Sequence, residues 1–178
     1  MRIKKESSQL LVIDVQEKLF PHIENKETLS KKMVTLVEGM KVLNVPMLAA
    51  RQYPKGLGDI IEELRPYFLQ YHDKTTFSCC GSEVLLGTLQ GNSRNNIIII
   101  GVEAHICVLQ TVIDLKALGF TPIVVVDAIG SRRRLDYELA LKRMEYEGAV
   151  LTTVEAILFE LCYETGNEAF KMISKLIK

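Results

Sequence analysis

The segment Asn96-Ile-Ile-Ile-Ile-Gly-Val102 constrains this chain more than any other. Four consecutive isoleucines leave a β-strand without a polar face, so both of its faces must be covered. A strand of a half-solvated antiparallel sheet would alternate polar and apolar residues instead. The runs Gln9–Asp14, Val45–Ala50, Thr121–Val126 and Ala149–Thr152 read as further short strands, with Pro46 tolerable near the start of its own. Helices are predicted between and after them, over Ser30–Leu43, Val84–Leu89, Ile106–Leu118, Asp136–Glu147 and Val154–Tyr163. In the first of these, Met33, Leu36, Val37, Met40 and Leu43 recur at spacings of three and four, and Thr28 or Ser30 could cap it. Gly91-Asn92, Gly119 and Gly148 stand where three of the helices should stop. A looser region from Arg51 to Asp73 holds a short amphipathic piece, Ile60–Leu64, closed by Pro66.

Near-continuous apolar strands separated by helices predict the α/β class. The expected architecture is a single-domain three-layer sandwich over residues 1–178. Its mostly parallel central sheet is covered by helices on both faces. The chain carries 22 basic and 22 acidic side chains, so no net field favours nucleic acid or an anionic membrane. Three adjacent arginines, Arg132 to Arg134, read as a solvated turn. The longest apolar stretch, Ile97–Val102, falls far short of the roughly 20 residues of a membrane helix. Leu10–Val15 is interrupted by Asp14 and makes no signal-peptide core. Without a secretory pattern, Cys79, Cys80, Cys107 and Cys162 are expected to be reduced thiols in a cytoplasmic protein. They lack the spacing of a structural zinc site.

In parallel sheets, sites form outside the carboxyl ends of the strands. Asp14 ends the first strand, and Gly101-Val-Glu-Ala-His-Ile-Cys107 follows the isoleucine strand, so both should open onto one edge. Cys107 then lies near a helix N-terminus, where free N–H groups and the dipole favour a thiolate and could hold an oxyanion. An acid in reach of the thiol can move its proton. A lysine between the two, Lys74, would lower both pKa values. Each residue also has an ordinary reading: a buried cysteine, a turn-capping aspartate, a surface lysine. His105, two residues from Cys107, diverges from it at a helix start and reads as structural.

Asp14-Val-Gln16 after a strand, Lys74 with Phe77-Ser78, and Gly101-Val-Glu-Ala-His-Ile-Cys-Val108 resemble the isochorismatase-like cysteine hydrolases. Leu118-Gly119-Phe120, Asp127-Ala128 and Leu151-Thr-Thr-Val-Glu155 extend the resemblance over nearly the whole chain. Gln52-Tyr-Pro-Lys-Gly-Leu-Gly58 is similar to the isochorismatase-domain-containing branch. The resemblance implies a catalytic triad of Asp14, Lys74 and Cys107, and a cis peptide at Val102–Glu103. It also implies an oxyanion site at the backbone N–H groups of Glu103 and Cys107, a thioester intermediate, and no cofactor. Nicotinamidase-like relatives carry an Asp-x-His metal pattern and a further histidine. This chain has Arg51-Gln52-Tyr53 there, so no metal is expected. Gln16, Phe20, Gln52 and Tyr53, in segments following the first two strands, are candidate substrate-binding walls.

The leading expectation is hydrolysis of a small amide, imide or carbamoyl compound. The alternative is a non-catalytic binding or scaffolding member, against which the complete triad speaks. A thiol-redox protein would need a resolving cysteine near Cys107, and a nuclease a cluster of metal-binding carboxylates. The expected partners are a small-molecule substrate and copies of the same chain in a homo-oligomer. Neither nucleic acid nor membrane is expected. The apolar helix Ala156–Leu161 is a candidate subunit contact.

Overall fold

The isoleucine strand lies inside a six-stranded sheet in a computed structural model that describes residues 1–178. The strands are β1 (Ser8–Ile13), β2 (Met47–Gln52), β3 (His72–Lys74), β4 (Asn96–Val102), β5 (Thr121–Gly130) and β6 (Val150–Thr152). Their spatial order is β3-β2-β1-β4-β5-β6, and every neighbouring pair is parallel. The isoleucines divide between the two faces as strand geometry requires. Ile98 and Ile100 join Leu10 and Val12 in one core. Ile97 and Ile99 join Leu11 and Ile13 in the other. All four isoleucines are fully buried, each contributing about 1.5–3 kcal/mol of apolar burial.

Helices α1 (Lys26–Val42), α6 (Val154–Cys162) and α7 (Glu168–Ile177) cover the first face. The second is covered by α3 (Glu83–Gly91), α4 (Leu109–Ala117) and α5 (Arg134–Tyr146), while α2 (Pro54–Leu57) is a single turn after β2. The layered α/β fold expected from the sequence is therefore present, with a wholly parallel sheet. No helix is long and apolar enough to cross a membrane.

Several local expectations are corrected. Helix α1 begins at Lys26, and neither Thr28 nor Ser30 caps it; Asn25, at φ 55°, turns the chain into it. The short amphipathic piece Ile60–Leu64 opens on an isolated antiparallel bridge between Ile60 and Gln16 and continues as a turn over residues 62–64. Strand β3 and helix α7 add elements beyond those expected; the side chain of Asn167 caps α7 by accepting the Phe170 N–H at 2.8 Å. The apolar residues of α6, Ile157, Leu158 and Leu161, belong to the core, so its apolar face is consumed within the chain.

Candidate active site

Strand β1 has β2 on one side and β4 on the other, and this reversal of winding opens a crevice at its carboxyl end. Asp14 follows β1 with a left-handed backbone (φ 53°) and donates its N–H to the Ala50 carbonyl at 3.2 Å. Beside it, Gly101, the penultimate residue of β4, has φ 134°. A Cβ there would lie 2.1 Å from the Ile13 carbonyl oxygen, so only glycine lets the two backbones pass this closely.

Lys74, the last residue of β3, reaches across β2 to Asp14. Its Nζ donates to Asp14 Oδ2 and Gln52 Oε1, both at 2.7 Å, and to the carbonyls of Phe77 (2.9 Å) and Thr76 (3.2 Å). The side chains of Asp14 and Lys74 are both 0% exposed. Such a pair survives burial only when further hydrogen bonds satisfy its charges, which the Gln52 amide and two carbonyls do for Lys74. The second carboxylate oxygen, Asp14 Oδ1, has no partner of normal hydrogen-bond geometry. Cys107 lies near enough for the charges of Asp14 and Lys74 to act on its thiol.

Cys107 sits in a π-helical turn, Ala104–Val108, that precedes α4. The Val108 N–H reaches back five residues to the Glu103 carbonyl at 3.3 Å. Such widened turns recur at functional sites. Thr111 fixes this turn by donating to the Cys107 carbonyl at 2.7 Å and accepting the Cys79 N–H at 3.0 Å. The Val102–Glu103 peptide is cis. The backbone N–H of buried Glu103 donates to no group of the chain. The Glu103 carboxylate accepts the N–H of Arg132 at 3.0 Å and its Nε at 3.1 Å. His105 pairs through Nδ1 with Ser131 Oγ at 2.9 Å, turned to the β5 side.

The electrostatics differ from the thiolate expected of a helix N-terminus. Burial and then the negative charge of Asp14 push the Cys107 thiol well above the ordinary range, with Lys74 opposing. Burial likewise raises Asp14, again against Lys74. Burial and the Asp14 charge thus favour the protonated form of the resting thiol, and the Lys74 charge opposes them. Burial outweighs the helix terminus because the dipole effect amounts to about 1 kcal/mol, less than a unit of pKa.

Cys107 opens onto a cavity of about 150 Å³. Its walls are Leu19, Leu57, Phe77 and Ile106, with Gln52 and Glu103 as the polar members. Of the four expected walls, only Gln52 lines it. Phe20 is a core residue. The Gln16 amide clamps the loops, accepting the Gln52 N–H at 2.7 Å and donating to Gln52 and Gly58 carbonyls. Tyr53 borders a neighbouring groove with Lys55 and Asp73. The apolar walls went unnoticed because adjacent residues such as Leu19 and Phe20 carry the same hydropathy signal; only the turn decides which faces the crevice. Arg51, at the position compared with a metal pattern, is engaged by Asp73 and Asp59 at 2.8 Å each. No group of three or more His, Cys, Asp or Glu is arranged to hold a metal ion.

The isochorismatase domain model matches residues 8–156. Isochorismatase domain-containing protein 2A of Mus musculus is 36% identical over 178 residues, covering 99% of this chain and 85% of its own. Among solved structures, the MAR1 ribonuclease of Caenorhabditis elegans has a TM-score of 0.93 at 38% identity, over 99% of this chain and 92% of that one. The YcaC gene product of Escherichia coli, an octameric hydrolase of unknown specificity, has a TM-score of 0.92 over 99% of this chain and 90% of that one. At 21% identity it shows likeness of fold alone.

Proposed function

The chain belongs to the isochorismatase family, which makes it a hydrolase by type, and from that premise we propose that it cleaves a small amide, imide or carbamoyl compound through a thioester on Cys107. The observation that carries this reading is the dry Asp14–Lys74 pair with the Cys107 thiol beside it, at the mouth of a small cavity. A scaffolding protein gains nothing from such a pair, since burying it costs desolvation free energy that an apolar pair would not.

In the proposed reaction, Asp14 accepts the Cys107 proton as Sγ bonds to the carbonyl carbon. The oxygen takes up the negative charge and meets the backbone N–H groups of Glu103 and Cys107. Asp14 returns the proton to the leaving nitrogen, the C–N bond breaks, and a thioester remains. A water that Asp14 deprotonates then attacks the thioester, the C–S bond breaks, and the proton goes back to the thiolate. Throughout, Lys74 keeps the carboxyl anionic whenever it has given up its proton. At about 150 Å³ the cavity is smaller than sites for drug-sized ligands, so the acyl portion is small and apolar. A nucleotide phosphate would meet Glu103 as the only charged side chain on the wall.

The test is a panel of small amides, ureides and imides, read by ammonia or amine release and by intact mass of the protein. The expected result is turnover of at least one compound, with an acyl adduct on Cys107 and none in Cys107→Ser. Absence of both turnover and adduct across the panel would remove the reading. So would RNA cleavage that persists in Cys107→Ser.

A further inference from the structure

The Lys74 ammonium has two shortest contacts, both 2.7 Å, to Asp14 Oδ2 and Gln52 Oε1. Its other acceptors, the Phe77 and Thr76 carbonyls at 2.9 and 3.2 Å, are neighbours in one stretch of chain. An ammonium only donates, so the orientation of the Gln52 amide is settled. Its oxygen faces Lys74, and its nitrogen donates to the Thr75 carbonyl at 2.8 Å. The backbone of Gln52 is fixed as well. Fully buried Gln16 accepts the Gln52 N–H at 2.7 Å and donates to the Gln52 carbonyl at 3.0 Å. Hydrogen bonds at both ends thus hold a residue that also lines the Cys107 cavity.

The chemistry of this acceptor matters as much as its place. A carboxylate at position 52 would be a second anion on Lys74 and would divide its charge between two partners. An apolar side chain would leave the ammonium free to lean toward the Thr76 and Phe77 carbonyls, away from Asp14. The neutral amide anchors the ammonium and leaves Asp14 as the one carboxylate in contact with it. We propose that Gln52 is a positioning residue, holding the Lys74 ammonium against Asp14 so that the lysine charge acts undivided on the Asp14 carboxyl and the Cys107 thiol. This role rests on the assignment of Asp14, Lys74 and Cys107 proposed above, and Gln52 acts through Lys74 instead of on the reacting atoms. Burial and Asp14 raise the thiol while Lys74 lowers it, so a lysine that drifts from its place leaves less thiolate to react.

The experiment is a double-mutant cycle of Gln52→Met and Lys74→Met, read by the rate of Cys107 alkylation with iodoacetamide at pH 8 in the substrate-free full chain. Gln52→Met keeps the length of the side chain, and any change it makes in access to the thiol is common to both backgrounds and cancels. It should slow alkylation about five-fold or more when Lys74 is present, and by less than about two-fold beside Lys74→Met. On a compound that is turned over, kcat should fall in step while KM stays within about two-fold. Equal slowing in both backgrounds, or none in either, overturns the role. So does an effect confined to KM, which marks a plain cavity wall. Should Lys74→Met fail to fold, the ammonium resonance of Lys74 in isotope-labelled protein decides. The wild type should show a sharp, slowly exchanging signal, and Gln52→Met should broaden it or speed its exchange about ten-fold. An unchanged signal, or none protected in the wild type, overturns the role. Alkylation and exchange need no substrate, so a silent amide panel would remove the proposed reaction and still leave these readouts to judge Gln52.

Discussion

At the carboxyl edge of the sheet an aspartate and a lysine are wholly shielded from water, while on the outer face of α5 two leucines and a tyrosine are more than half exposed. The first region places charge where apolar groups belong, and the second does the reverse. Their consequences differ. Burying Asp14 and Lys74 costs stability that only their mutual contact and the Gln52, Thr76 and Phe77 oxygens offset, so every part of that network depends on the rest. Leu135, Leu139 and Tyr146 stand outside both cores, so the folding of the chain does not rest on them. A buried polar cluster is coupled to the fold; an exposed apolar stripe is nearly independent of it.

Substitutions should separate the two regions sharply. Cys107→Ser is expected to lower turnover about a thousand-fold or more at an unchanged melting temperature, measured by steady-state kinetics and calorimetry. Substantial activity in that variant would remove the thiol from the chemistry. Lys74→Met leaves Asp14 buried without its partner and should cost about 3–5 kcal/mol in urea unfolding. A loss under about 1 kcal/mol would mean that water enters the site and screens the pair.

Alkylation of Cys107 by iodoacetamide, followed by peptide mass, sharpens the electrostatic side. The negative charge of Asp14 raises the thiol and Lys74 lowers it, so the two variants should move the pH profile in opposite directions. Asp14→Asn should shift ionisation to lower pH and speed alkylation, even as it stops turnover. Lys74→Met should slow alkylation. Shifts of the same sign in both variants would contradict the opposed influences of Asp14 and Lys74 on the thiol. Alkaline stability follows from the same burial. Cys79 is raised from 9.0 to about 12 and Cys80 to about 11, and Cys107 is raised too. Above the ordinary thiol range the unfolded chain releases these protons while the folded chain holds them. Folding free energy is therefore fully present below about pH 9 and should fall as pH rises from there toward 12. Denaturant titrations at pH 8 and 10 would measure the slope, and Cys79→Ala should flatten it. The smallest expected effect is on α5: Leu139→Glu should change the stability of the isolated chain by no more than about 0.5 kcal/mol. A larger loss would place Leu139 in the fold's own packing.

Legibility followed the strength of the local pattern. The isoleucine strand declared two covered faces, and the regular alternation of strands and helices declared a parallel sheet, because period and burial are properties of short segments. Strand β3 was not legible, since three residues, His72-Asp73-Lys74, have neither length nor apolar character and pair only because β2 lies beside them. That Asp14 and the segment leading to Cys107 open onto one edge followed from strand ends, whereas the place of Lys74 there depends on β3. The walls Leu19 and Leu57 were not legible either, because turn geometry chooses between neighbours of equal hydropathy.

What the sequence determined by itself is the α/β architecture and the sheet edge onto which Asp14 and the segment leading to Cys107 open. Tertiary structure alone decided how deeply those residues are buried, and hence that the thiol rests protonated beside a carboxyl with a free oxygen. It alone decided that α5 turns its leucines outward while α6 turns its own inward. The physical reason is common to both. Hydropathy and periodicity are local, whereas the removal of water from a group depends on every segment that packs around it.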